Sequence, residues 1–308
     1  MLSMDARSLR AITVVMVTLA ACRAVEPSNE VIDDGAITIA SFAFAESELV
    51  AEIYAGALRE AGFDTTHLRR AGSREMLLPA LERGLIEVVP EYSGSAVSFL
   101  GGAATSDAAA TAASLDSLVG PRGLDALAPS SAQSRNALVV NSATADRLSL
   151  RTISDLVSSA EQMSLGGPPE CPDRPLCLPG FERAYGLTFG SFLPLDVGGP
   201  VTAEAVERGT VDVGVLFTSD GHLAQGDLVL LEDDRHLQPA ESIIPLVRRD
   251  AVERFGEGIV DVLDRVSARL TTEGLQRLNA LVAQGTTIDE AAAIWLDEHW
   301  TSALRSSG

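Results

Sequence analysis

The sequence predicts an α/β protein built as two lobes, and three observations predict it. Short β-branched apolar runs alternate with amphipathic stretches, the order of a parallel, doubly wound sheet. That order occurs twice, first over residues 36–94 and again from residue 137. A chain of 308 residues is also longer than one hydrophobic core usually serves.

The first unit opens with Ala36-Ile37-Thr38-Ile39-Ala40, a short run typical of a buried strand. A helix over 46–61 follows, with Leu49, Val50, Ile53, Ala57 and Leu58 on its apolar face and Gly62 closing it. Residues 63–68 form a second strand. Ser73 is expected to cap a helix over 74–83, which Gly84 ends. Residues 86–89 form a third strand, leading into Pro90-Glu91-Tyr92-Ser93-Gly94. The Ala- and Ser-rich stretch 103–119 is expected to be helical.

A strand over 137–141 begins the second unit, and Ser154 is expected to cap a short helix at 156–160. A brief strand at 163–165 leads into a Gly-, Pro- and Cys-rich loop, 166–180. Helices near 180–185 and 203–208 and strands at 211–216, 228–231 and 243–247 follow. Amphipathic helices are expected over 249–270, 272–284 and 288–302. The ligands of such sheets sit beyond the carboxyl ends of the strands.

Composition removes several classes of function. A net charge of −20 repels nucleic-acid phosphates and is compatible with cationic or zwitterionic ligands. Every basic residue is arginine, so lysine Schiff-base chemistry is excluded. Four scattered histidines make a metal site an unlikely design, so neither metal nor cofactor is expected. His67, His222, His236 and His299 show no Ser or Cys partner in the sequence, and no GxSxG or HExxH motif occurs. Catalysis is therefore not expected.

Arg7 and Arg10 precede an apolar run over 11–21, about half the ~20 residues of a membrane-spanning helix. This is the form of a secretory signal peptide over 1–21. Its end, Leu19-Ala20-Ala21-Cys22, is similar to the lipobox of bacterial lipoproteins, which implies lipidation at Cys22. A polar tether over 22–35 would then lead from the outer face of the cytoplasmic membrane to the folded part. With Cys22 lipidated, Cys171 and Cys177 remain as a pair that should oxidise outside the cytoplasm.

From about residue 36 to 300 the chain resembles the glycine betaine/carnitine/choline-binding proteins of ABC transporters. The resemblance is strongest over Gly72-Ser73-Arg74, 79–84 and 86–95, which are similar to the family's GS turn, its "AL..G.ID" step and its "PEYTGT". Further matches are Ser41…Phe44…Glu46, Ser154-Asp155-Leu156, Arg174…Pro179-Gly180-Phe181, Ser219-Asp220-Gly221 and Leu278-Asn279. The family implies a periplasmic-binding-protein fold (type II-like) of two α/β lobes on a two-stranded hinge. Lobe I would comprise 36–136 and 242–308, and lobe II 137–241. It also implies a small-molecule solute, a permease and ATPase as partners, and a monomer. A sensor or another partner protein is the alternative recipient of the closed form.

Such proteins hold a quaternary ammonium among aromatic rings, each worth about 0.5–2 kcal/mol. Tyr92 matches the tyrosine of "PEYTG", Ser95 the hydroxyl residue after it, and Phe44 the phenylalanine of "SKNFTEQ". Phe217 lies where "YSTD" has an aromatic, and Arg174 matches an arginine expected to meet a carboxylate. Asp220 beside its glycine is a further candidate, although an Asx-turn role is commoner. The pattern departs at Phe42, where the family has lysine and this ring is a substitute member of the box, and at Asn136, where it has an aromatic and the amide is a candidate polar contact or a loop cap at the hinge. A thinned aromatic box without that lysine tilts against glycine betaine, so another small polar solute is the alternative ligand.

Overall fold

The first strand, β1 (Ile37–Phe42), is almost wholly buried, as an apolar run in the middle of a sheet must be. Helix α1 (Ala45–Glu60), strand β2 (Thr65–Gly72), helix α2 (Arg74–Glu82) and strand β3 (Val88–Tyr92) follow in the expected order. The protein is described by a computed structural model covering residues 35–301. The signal peptide, Cys22 and the tether up to residue 34 lie outside the described residues.

After β3 come α3 (Ser93–Phe99), α4 (Ala108–Val119) and β4 (Leu124–Ala126). The chain then crosses to β5 (Asn136–Asn141), α5 (Ser142–Leu148), β6 (Ser164–Gly167), α6 (Leu178–Tyr185) and β7 (Ser191–Pro194). Helix α7 (Pro200–Glu207), β8 (Val213–Phe217) and β9 (Leu228–Leu230) complete that half. It returns through β10 (Ile243–Arg248) to α8 (Arg249–Phe255), α9 (Gly258–Ser267), α10 (Thr272–Ala283) and α11 (Ile288–Leu296).

Two five-stranded sheets result, ordered β2-β1-β3-β10-β4 and β7-β6-β8-β5-β9. In the first, β1 runs parallel to β2 and β3, and β10 returns antiparallel onto β3 and β4. In the second, β6 runs parallel to β7 and β8, and β5 lies antiparallel between β8 and β9. Each sheet has its own core, with Tyr54 and Trp295 fully buried against the first and Phe181 against the second. The two-lobed α/β architecture is therefore as expected, but each sheet is mixed and not parallel throughout, because the chain that crosses between the halves enters antiparallel as β5 and returns antiparallel as β10.

The two segments that join the sheets pair with each other. Gln133 and Ser242 form an antiparallel bridge, and the Ser134 amide donates to the Glu241 carbonyl at 3.1 Å. The Gln133 side chain reinforces them, accepting from the Glu241 amide at 2.8 Å and donating to Ser242 Oγ at 2.6 Å.

Several local expectations differ from the structure. Residues 93–99 form the helix α3, and Gly94 lets it approach the crossing segment: a Cβ there would stand 2.6 Å from the Ala240 carbonyl. The stretch 249–270 is two helices, because Gly256 takes a positive φ of 88° that no helix continues through. Ser73 occupies the N-cap of α2 without making the capping bond. The short helix beginning at Ile153 is capped by Thr152 in a capping box with Asp155, and not by Ser154.

Candidate functional site

The carboxyl ends of β1 and β3 bring three rings together. Phe42 ends β1, Phe44 precedes α1 and Tyr92 ends β3. The Phe42 and Phe44 rings are nearly coplanar in orientation, 3° apart, with centroids separated by 6.1 Å. Tyr92 tilts against both, at 6.4 Å from Phe42 and 5.7 Å from Phe44. Phe42 and Tyr92 are buried, whereas Phe44 is 45% exposed and offers its ring to solvent. A cluster of ring faces with one open member can accept a cation.

Carboxylates surround the rings. The Tyr92 hydroxyl donates to Glu46 Oε1 at 2.9 Å, and Asn279 Nδ2 donates to Glu46 Oε2 at 2.7 Å. Ser95 holds Glu241 through both its hydroxyl, at 2.7 Å, and its amide, at 3.0 Å. Arg74 grips the buried Glu91 with Nε at 2.7 Å and Nη2 at 2.9 Å, while its guanidinium lies over Phe42. Burial first, and then the Glu46 carboxylate beside it, pushes the Tyr92 hydroxyl well above the usual phenol range, with Glu91 and Glu241 adding to the effect. Burial likewise raises the Glu241 carboxyl. One guanidinium against three carboxylates leaves the surroundings of the rings negative.

The other predicted residues lie on the second sheet. Asn136 and Phe217 are direct partners across β5 and β8, and the Asn136 amide reaches Gln238 Oε1 at 3.5 Å. Phe217 packs on Gly198, where a Cβ would come within 2.4 Å of the ring. Asp220 accepts from the amide and Nδ1 of His222, at 2.8 and 2.9 Å, which is the turn role. Arg174 is solvent-exposed and paired with Glu170 at 2.7 Å. The structure thus groups Phe42, Phe44, Tyr92 and Ser95 in one place and Asn136 with Phe217 in another, and leaves Arg174 in a surface ion pair.

Glu46, Arg74, Glu241 and Asn279 complete the first group and had no role assigned from sequence. Glu46, Arg74 and Asn279 all stood inside the matched motifs, which was the available signal. Cys171 and Cys177 are disulfide-bonded, with Cα atoms 5.2 Å apart.

His67 corrects one expectation, because it does have a serine partner. Its Nε2 lies 3.2 Å from Ser41 Oγ and its Nδ1 2.7 Å from Glu52, a Ser-His-Glu line. Ser41 is fully buried, and its Oγ already accepts the Arg70 amide at 3.0 Å. A hydroxyl sealed from solvent cannot attack a substrate, whereas rings at strand ends with one open face can hold one.

The comparisons narrow the class. The chain belongs to the family described as the substrate binding domain of ABC-type glycine betaine transport system, which matches residues 35–298. It is 29% identical over 269 residues to the glycine-betaine-binding protein of Pseudomonas aeruginosa, covering 83% of this chain and 85% of that one. It is 26% identical over 270 residues to the glycine betaine-binding protein YehZ of Escherichia coli, covering 83% and 88%. In fold it is similar to the crystal structure of a glycine betaine/carnitine/choline ABC transporter protein, at a TM-score of 0.80 and 21% identity. That match covers 85% of this chain and 98% of the other.

Proposed function

We propose that this chain is an extracytoplasmic, lipid-anchored receptor that captures a quaternary-ammonium solute and presents it to an ABC permease and its ATPase. In this reading Cys22 carries the lipid on the outer face of the cytoplasmic membrane, and the protein acts as a monomer. Lobe I (36–136 with 242–308) and lobe II (137–241) close about the paired segments at Gln133 and Ser242, so that Tyr92 and Phe217 meet the ligand from opposite sides. Family membership supports the solute class, since the relatives' names carry glycine betaine, and carnitine appears in that of a Listeria monocytogenes relative.

Within that class, the observation that carries the ligand choice is the negative ring cluster of Phe42, Phe44 and Tyr92. Three carboxylates and one already paired guanidinium favour a cation over a zwitterion, whose own carboxylate would be repelled. A choline-type ligand therefore fits better than glycine betaine. Calorimetry on the purified folded part, with choline, carnitine, glycine betaine and ectoine at one ionic strength, tests this. Choline is expected to bind tightest. Tight glycine betaine binding with none to choline overturns the ligand choice, and binding of none of the four overturns the solute class.

A further inference from the structure

Helix α10 comes after β10, α8 and α9 in sequence and packs with α1 and α11 on the first sheet's side, yet it holds main chain from the other half of the molecule. Gln276 Nε2 donates to the Thr218 carbonyl at 2.7 Å, and Asn279 Nδ2 donates to the Ser219 carbonyl at 2.9 Å. Gly221 makes the approach possible: a Cβ there would stand 2.4 Å from the Ala280 nitrogen and 2.7 Å from its Cα. Ser134 on the crossing segment adds a hydroxyl contact to Ser219 at 2.8 Å. The two halves are thus joined at a third place besides the two crossing segments.

Asn279 does more than tie main chain. A primary amide nitrogen carries two hydrogens, and both are used. One goes to the Ser219 carbonyl, and the other to Glu46 Oε2, whose second oxygen takes the Tyr92 hydroxyl. A chain of bonds therefore runs from the Tyr92 ring through Glu46 and Asn279 to the segment directly after Phe217. Asn279 and Ser219 are partly and fully buried respectively, so these bonds are sheltered from competing water.

We propose that Asn279 is a positioning residue that sets the Tyr92 ring of one lobe against the Phe217 segment of the other, and so fixes the geometry the ligand meets. The ligand part of this inference rests on the function proposed above; the coupling itself does not. Asn279 touches no ligand in this scheme. It acts through Glu46 on one side and through the Ser219 carbonyl on the other.

Two variants separate the two sides. Asn279→Leu removes both donors at similar volume. The isosteric pair Glu46→Gln with Asn279→Asp reverses the polarity of their mutual bond: residue 46 still accepts from Tyr92 and donates to residue 279. The Ser219 carbonyl then faces an acceptor and loses its bond. Hydrogen exchange is measured on ligand-free protein over peptides containing Tyr92 and peptides spanning 218–225, alongside choline calorimetry. Asn279→Leu is expected to speed exchange in both regions and, by letting the Tyr92 ring and the Phe217 segment move apart, to weaken choline binding by roughly tenfold. The paired variant is expected to speed exchange at 218–225 while leaving the Tyr92 peptides as in the wild type. Wild-type exchange at 218–225 in the paired variant overturns the proposal, whether or not the leucine variant folds. Failure of the wild type to bind choline counts against the proposed ligand alone, because the exchange result is read without ligand.

Discussion

The guanidinium carbon of Arg74 lies 5.4 Å from the centroid of the Phe42 ring. Phe42 stands where the resembled family has a lysine, so a positive charge is present beside this position but arrives from α2. It is neutralised there by Glu91, which is buried and accepts from both Nε and Nη2. Removing one member of such a pair strands the other in the interior, at a cost of about 3–5 kcal/mol, whereas replacing both with apolar groups is often close to neutral. Arg74→Met should therefore lower the unfolding free energy by that amount in a urea titration. The double variant Arg74→Met/Glu91→Leu should recover most of it. Equal losses in the two would show that Glu91 does not depend on Arg74.

Phe44 and Tyr92 make separable contributions to a bound cation. Phe44 is 45% exposed, so Phe44→Ala should leave the melting temperature nearly unchanged. It should still weaken choline binding by roughly fivefold or more, the value of one ring face. Tyr92→Phe keeps the ring and loses only the bond to Glu46, so its loss of affinity should be smaller than that of Tyr92→Ala. If Phe44→Ala binds choline as tightly as the wild type, the open ring is not part of the site.

The first unit was legible because its signals are local. β1 and β3 open on β-branched apolar residues and are almost wholly buried, and Gly62 and Gly84 close their helices where a positive φ is needed. Helix α3 was not, since Ser93-Gly94-Ser95 reads as a turn. Its conformation is settled by Glu241, 146 residues along, which binds the Ser95 amide and hydroxyl. Strands β4 and β7, at 3 and 4 residues, were not legible either: Leu-Asp-Ala and Ser-Phe-Leu-Pro lack the unbroken apolar run, Leu-Val-Leu, that marks a strand as short as β9. The same division holds at the site. The rings lie at strand ends that matched motifs had marked; Glu46 and Asn279 also stood in matched motifs, but their bond spans 233 residues and neither motif shows that they pair. Arg174 is a local case: Glu170, four residues away, pairs with its side chain in the ligand-free protein.

All three tyrosines of the chain sit in places that oppose ionisation. Burial raises Tyr54, burial and Glu46 raise Tyr92, and burial and the Asp233 hydrogen bond raise Tyr185. A phenol raised in the folded state favours folding fully below its unfolded pKa of about 10, and that contribution is lost as pH rises beyond it. Absorbance at 295 nm should therefore show no phenolate with a midpoint near 10. It should instead rise in one step with alkaline unfolding followed by circular dichroism. A separate early step equal to one tyrosine would show that one of these rings reaches solvent.

Glu52 should dominate the acid limb of stability. Burial pushes its carboxyl up, but hydrogen bonds from His67 and Arg59, together with their charges, outweigh burial and hold it at about 2, against an ordinary 4.5. Arg69 adds a contact at 3.1 Å. A carboxylate lowered in the fold stabilises fully above 4.5, loses that contribution as pH falls toward 2, and contributes nothing below. The shift corresponds to about 3 kcal/mol. Glu52→Gln cannot ionise, and at neutral pH it also leaves the guanidiniums of Arg59 and Arg69 without the carboxylate charge they share. Urea midpoints measured from pH 7 to pH 2 should therefore place the variant well below the wild type at neutral pH, with the two curves converging between 4.5 and 2. Parallel curves over that interval would mean that the drop in stability comes from carboxylates other than Glu52.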